Sequence, residues 1–261
     1  MAAPSPEEIL ERTREEGRRR LSRPPLETSA TALLGGFDIA FGIAAYAAAA
    51  AAVSSSVGPD VAHLVGAVAF GVGFVFVVVG RSELFTENFL VPVAGLERGR
   101  RGSYYKLLQL WSVALLLNLV GGSLLAVLLT SSGVLPDGSD EALTRLSEHV
   151  AGYAFSTSLI SAVLAGALMT LMTWFVEGAA ASTGVRIVMA WIVATLISLG
   201  VFNHAIVSTV ELVFGMRYGA SVDFGDLFAN LGISVAGNVL GGLGLVTFVR
   251  FIQASGSGPE R

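Results

Sequence analysis

The sequence predicts an all-α membrane protein: six transmembrane helices in an inverted repeat of three and three, with the second and fifth helices broken. Three observations predict it. The 261 residues include only 16 basic and 20 acidic side chains, too few to cover a soluble globule but ample for a protein whose surface is largely lipid-facing. Six apolar runs reach the roughly 20 residues a helix needs to cross about 30 Å of hydrocarbon. An Asn-x-x-Gly-Gly motif at Asn118 recurs at Asn238, an offset of 120 residues and close to half the chain. The same composition disfavours a disordered chain, a soluble enzyme and a disulfide-stapled secreted domain. A net charge of -4 gives no basic field for nucleic acid, and the absence of cysteine excludes disulfides, thiol catalysis and thiolate metal sites.

Residues 1–26 form a charged cytoplasmic segment in which Arg12, Arg14, Arg18, Arg19, Arg20 and Arg23 alternate with Glu7, Glu8, Glu11, Glu15 and Glu16. That mixture, with no short apolar core behind it, is not a signal peptide. Ser5-Pro6-Glu7-Glu8 reads as an N-cap, a first-turn proline and a capping-box acid, so a short surface helix is expected. The channel domain follows over 27–252, with halves at about 27–132 and 147–252 and spans at 29–53, 61–80, 107–130, 152–176, 187–210 and 227–252. The Ser- and Gly-rich tail, 253–261, is expected to be disordered. Placing the N-terminus inside puts 14 of the 16 basic residues on the cytoplasmic side and leaves Arg145 and Arg217 outside. Six spans with both termini cytoplasmic, in the plasma (inner) membrane, satisfy that bias. The acidic loop carrying Asp137, Asp140, Glu141 and Glu148 is then external.

Two spans carry polar interruptions, Arg81-Ser82-Glu83 after the second and Asn203-His204 within the fifth. The offset of 120 lays Glu83 on Asn203 and Leu84 on His204. Three spans per half start the second half on the opposite face, so the repeat is inverted, a plan that puts a pathway between the halves and near broken helices. The glycines of the repeat have a second reading, close helix packing.

Polar groups at membrane depth are costly and are candidates for function. His204 leads them, since an imidazole at a channel centre can attract an anion and share a proton; the plainer reading is a neutral histidine capping a helix break. His63 and His149 lie near outer span ends and read as surface residues. Arg81, Glu83, Glu87 and Asn88 surround Leu84, Phe85 and Thr86, either as a cavity-lining loop or as a salt-bridged interfacial turn. Asn203 belongs to the second break. Glu211 marks the outer mouth or caps the second half of the broken helix. Ser208, one turn from His204, has no third group or oxyanion site, which disfavours an intramembrane hydrolase. Three scattered histidines make no metal site, and no cofactor is expected.

Taken together, Glu83-Leu84-Phe85-Thr86, Asn118-Leu119-Val120-Gly121, Gly200 with His204, and Gly237-Asn238 with Gly241-Gly242 resemble the formate–nitrite transporter family, from about Leu26 to Ile252. The extended run Arg81 to Asn88, with His204 and Glu211, is most similar to its divergent YfdC-type branch. The resemblance implies an aquaporin-like protomer in a homopentamer, each protomer with its own pore. It implies a cytoplasmic constriction at Leu84, Phe85 and Thr86, an outer one at Phe70, Phe74 and Ile197, a central His204, and the span-six amide at Asn238. Where that family carries a lysine, this chain reads Val150-Ala151-Gly152-Tyr153. The implied function is passage of a small monovalent weak-acid anion across the lipid bilayer, with proton exchange at His204. Two alternatives stay open at this point, a pore for a neutral or cationic solute and a closed-pore membrane sensor or scaffold.

Overall fold

The computed structural model describes residues 3–97, 99–179 and 181–256; Arg98, used in the charge count, and the end of the tail, 257–261, lie outside the described residues. The described residues are helical apart from turns and short connections. Helix α1 (Pro6–Leu21) begins with the expected capping box, in which the Ser5 hydroxyl accepts from the Glu8 amide at 3.2 Å and the Glu8 carboxylate accepts from the Ser5 amide at 2.9 Å. Next come α2 (Pro25–Ser54), α3 (Pro59–Gly80), a 3-10 turn (Phe85–Phe89), α4 (Val91–Ala94) and α5 (Arg101–Leu129). The second half repeats the order as α6 (Ser139–Ala151), α7 (Phe155–Gly178), α8 (Thr183–Leu199), α9 (Ala205–Arg217) and α10 (Phe224–Val239). A π-helical stretch (Leu240–Thr247) and α11 (Phe248–Gly256) complete it.

Among the described residues, α2, α3, α5, α7 and the continuous run from α10 through α11 are long and apolar enough to cross a bilayer. The fifth span is two pieces. Helix α8, of 17 residues, stops at Gly200, and α9 restarts at Ala205. The acidic loop after α5 carries a helix that its charges do not reveal, α6, which packs its Leu143, Leu146 and Val150 inward, against α9 and α2. Asp140 and Glu141 lie in its first turn, where the helix dipole favours negative charge.

Within each half, spans meet through small residues. A Cβ on Gly36 would collide with the carbonyl oxygen of Asn118, and one on Gly166 with that of Asn238. Gly121 lies equally close to the Leu33 carbonyl and Gly241 to the Val163 carbonyl. The glycines of the repeat therefore set the closest backbone approaches of α2 to α5 and of α7 to the last span, as small residues do between membrane helices.

Candidate functional site

Both breaks are built alike. Each first half-helix ends on a non-glycine residue in the left-handed region, Arg81 at φ 56° and Val201 at φ 46°, and these two are also 120 residues apart. A β-branched residue there is under strain. Each second piece then starts behind an N-cap at the equivalent position, Leu84 for the 3-10 turn and His204 for α9.

One asparagine clamps each break. The Asn118 carbonyl accepts from the Phe85 amide at 2.8 Å, and its NH2 donates to the carbonyls of Ala32 and Glu83 at 2.6 and 2.9 Å. The Asn238 carbonyl accepts from the Ala205 amide at 2.9 Å, and its NH2 donates to the carbonyls of Ala162 and Asn203 at 2.7 and 3.0 Å. Both side chains are fully buried, so one amide satisfies two backbone groups freed at each break, an N–H and a carbonyl, and ties them to a carbonyl inside a neighbouring helix, Ala32 of α2 or Ala162 of α7. Sequence reasoning set Asn118 and Asn238 along the path; the structure binds their polar atoms to backbone at the two breaks.

His204 sits between the two breaks with its ring fully buried. Its Nδ1 accepts from the Val207 amide at 3.2 Å, which leaves the other ring nitrogen to carry the proton of the neutral form. That Nε2 lies 2.7 Å from Thr86 Oγ1 and donates to it. The Thr86–His204 bond joins the first break to the second and, among the described residues, is the one direct side-chain hydrogen bond between the two caps. The edge of the Phe74 ring faces His204 at 6.3 Å between centroids, and Phe70 packs on Phe74 at 5.6 Å. Phe70, Phe74, Leu84, Phe85 and Ile197 are all buried. Ser208 does not touch the ring; its hydroxyl accepts from the His204 amide at 3.0 Å.

Asn203 is walled in by polar side chains. Its amide nitrogen donates to Ser161 Oγ at 2.9 Å, and its NH2 reaches Ser158 Oγ and Asn230 Oδ1 at 2.7 Å each. Two groups at the same break were not legible from the sequence. Tyr153, in the stretch where the resemblance leads one to look for lysine, donates its hydroxyl to the Val201 carbonyl at 2.9 Å. His63 accepts from the Tyr46 hydroxyl at 2.7 Å and donates to the Leu199 carbonyl at 3.1 Å, so it caps the end of α8 and is more than a surface residue. No spacing rule links these pairs, whose partners lie 48 and 136 residues away.

The first break is held from the end of the bundle that carries both described termini. Glu83 is buried and pairs with Arg23, with Arg20 3.5 Å away. Arg20 also donates to Asn88 Oδ1 at 3.2 Å and lies 3.2 Å from Glu16. Burial works against its charge, but Glu83 and Glu87 beside it raise its pKa above the usual arginine value. Glu87 accepts from the Leu84 amide at 2.9 Å and closes the cap of the 3-10 turn. Breaking a buried ion pair from one side strands the other charge and costs about 3–5 kcal/mol. Arg23→Ala leaves Glu83 with Arg20 alone and is expected to lower the unfolding temperature by part of that cost. The double variant with Glu83→Gln should recover part of the loss, as a thermal melt of the purified protein will read.

Each break borders a cavity. One, of about 220 Å³, is lined by Arg20, Arg23, Val77, Val78, Arg81, Glu87 and Thr173. The other, of about 260 Å³, is lined by Tyr46, Asp60, His63, Arg145, His149 and Val201. Glu211, in α9, is buried and has no hydrogen-bond partner among the described residues. No group of three or more metal-ligating side chains occurs among the described residues.

The family model described as formate/nitrite transporter matches residues 7–252. The chain belongs to the formate/nitrite transporter family. This family member is 28% identical to the inner membrane protein YfdC of Escherichia coli (strain K12) over 65% of its own length, and it spans 54% of the length of YfdC. It is 27% identical to the uncharacterized transporter YrhG of Bacillus subtilis (strain 168), covering 100% of this chain and 98% of that one. Among solved structures it superposes on a pentameric formate channel with formate bound at a TM-score of 0.72 and 20% identity, over 87% of this chain and 96% of the other. The expected fold class is thereby established, and the protein is an integral membrane transporter or channel, not an enzyme.

Proposed function

We propose that this family member passes a small monovalent weak acid of the formate or nitrite type, and that the proton is exchanged at the Thr86–His204 pair. The observation that carries the reading is the 2.7 Å bond between Thr86 Oγ1 and His204 Nε2, set between two aromatic-lined breaks. Because Thr86 accepts from the imidazole, its own hydroxyl proton is free to meet an incoming oxyanion. The His204 ring takes a second proton only by releasing the Val207 amide from Nδ1. In this arrangement the ring is neutral. A neutral acid crosses the low-dielectric slits formed by Phe70, Phe74 and Ile197 on one side and Leu84 and Phe85 on the other far more cheaply than an anion does.

The assembly that fits this reading is a homopentamer with one path per protomer and both termini in the cytoplasm, where the pentameric formate channel supplies the analogy and the distribution of Lys and Arg the orientation. A second reading, a neutral or cationic solute, is favoured by the two buried carboxyls Glu87 and Glu211. A proteoliposome panel of formate, nitrite, acetate, lactate, hydrosulfide, ammonium and glycerol separates the two. The weak acids are expected to pass and glycerol and ammonium to be retained. Uptake of ammonium alone, or a reversal potential that follows the cation gradient, would overturn the anion reading.

A further inference from the structure

A cavity of about 480 Å³ opens between α1, the turn before α5 and the first turn of α5, at the end of the bundle that carries both described termini. Four cationic side chains, Arg18, Arg19, Arg100 and Lys106, line it against a single acid, Glu97. The arginines have carboxylate neighbours: Glu11 lies 3.5 Å from Arg18, Glu16 lies 2.6 Å from Arg19, and Glu97 pairs with Arg100. Each of these guanidiniums keeps further N–H donors. Lys106 has no ion-pair partner among the described residues. The hydroxyls of Ser22 and Ser103 complete the polar wall.

Lys106 and Ser22 also line a second cavity of about 160 Å³ that continues along α2 and α5 past Pro25, Thr28, Leu110 and Val113. The charged chamber thus opens into a smaller furrow of mixed lining, where Arg20, Arg23, Thr28, Ser29 and Gln109 stand beside Leu21, Pro25, Leu110 and Val113. Beside it, Tyr104 and Tyr105 are 47% and 71% exposed on α5, followed by Leu108 at 59%. Exposed tyrosines above exposed leucine mark a membrane–water interface, and basic chambers between helices at that depth suit anionic headgroups. A free phosphate could use the chamber, but it would leave Leu21, Pro25, Leu110 and Val113 of the furrow uncovered.

We propose that this pair of cavities is a site for an anionic glycerophospholipid, with its phosphate among Arg18, Arg19, Arg100 and Lys106 and an acyl chain along Leu110 and Val113. Because the walls come from both α1 and α5, the lipid fastens α1 to the bundle. Helix α1 carries Arg20, and the linker after it carries Arg23, the two side chains that hold Glu83 at the first break. The bound lipid therefore steadies that break whatever solute the protein passes.

Native mass spectrometry and thermal unfolding of the purified assembly in detergent test the site, with phosphatidylglycerol, phosphatidylcholine and inorganic phosphate as probes. Phosphatidylglycerol is expected to stay bound and raise the unfolding midpoint, while phosphatidylcholine and phosphate do neither. Lys106→Gln should weaken its retention about fivefold, and Arg100→Gln should add a similar loss. Both side chains are exposed, so the fold is expected to tolerate the changes. Val113→Ser should weaken the lipid as well. Equal retention of the two lipids, or unchanged retention in both Lys106→Gln and the double variant, overturns the site. Stabilisation by phosphate as large as that by phosphatidylglycerol overturns the lipid as its occupant.

Discussion

Replacing His204 with Phe is expected to reduce the flux of a weak acid by about tenfold or more, equivalent to at least about 1.4 kcal/mol on the barrier, and to flatten its dependence on the proton gradient. The reason is local. Phe fills the ring's volume beside Phe74 but offers no donor to Thr86 and no acceptor to the Val207 amide. Thr86→Val removes the same bond from the other side and should reproduce most of the effect while leaving the cap of α9 intact. The checking measurement is formate or acetate uptake into proteoliposomes with and without an imposed pH gradient, after confirming that each variant assembles. Wild-type flux and pH response in both variants would show that the pair is only a structural cap and that the proton is exchanged elsewhere.

Asn118→Ala and Asn238→Ala are expected to be the most destabilising single truncations at the breaks, and nearly equal to each other. Each strands one buried amide and one buried carbonyl at the break, while the second carbonyl, in α2 or α7, keeps its helical partner. At about 1–3 kcal/mol per unpaired buried group, the loss is on the order of 2–6 kcal/mol, a large part of the whole stability of many folded domains. Asn118→Asp separates hydrogen bonding from packing, because the carboxylate keeps the acceptor for Phe85 but faces the Ala32 and Glu83 carbonyls with no donor. It should be at least as damaging as Ala. The readout is the yield of the assembled protein and its melting temperature. A loss below about 1 kcal/mol in either Ala variant would mean that neighbouring groups or water take over the bonds, and that the clamp is not what maintains the break.

The equality of these two effects rests on the repeat, and much of that was legible. The offset of 120 residues, read from two short Asn-x-x-Gly-Gly motifs, carries Phe85 onto Ala205, Asn118 onto Asn238 and Arg81 onto Val201 in hydrogen bonding or backbone conformation. It was legible because an inverted repeat preserves the positions where a helix must break and be clamped, and those positions demand particular residue types. The capping box of α1 was legible for a similar reason, since its two bonds are local. Helix α6 was not, because four acidic residues in a loop look the same to a composition count whether or not their apolar neighbours find a partner. His63 and Tyr153 were hidden because each acts on a carbonyl left free at the end of α8, and only the fold brings them there.

By itself the sequence determined the solvent, the number of spans, the two breaks and the pseudo-symmetry between them. All of these depend on length, periodicity and the expense of polar groups in hydrocarbon, which are properties of a chain read along its length. Tertiary structure decided what each polar residue is used for. It committed Asn118 and Asn238 to the backbone, set Glu83 under two arginines of the N-terminal segment, and left the Thr86–His204 contact as a polar link between the breaks. A hydrogen bond between residues 118 positions apart depends on where two chain segments meet in space, and no local preference encodes that meeting.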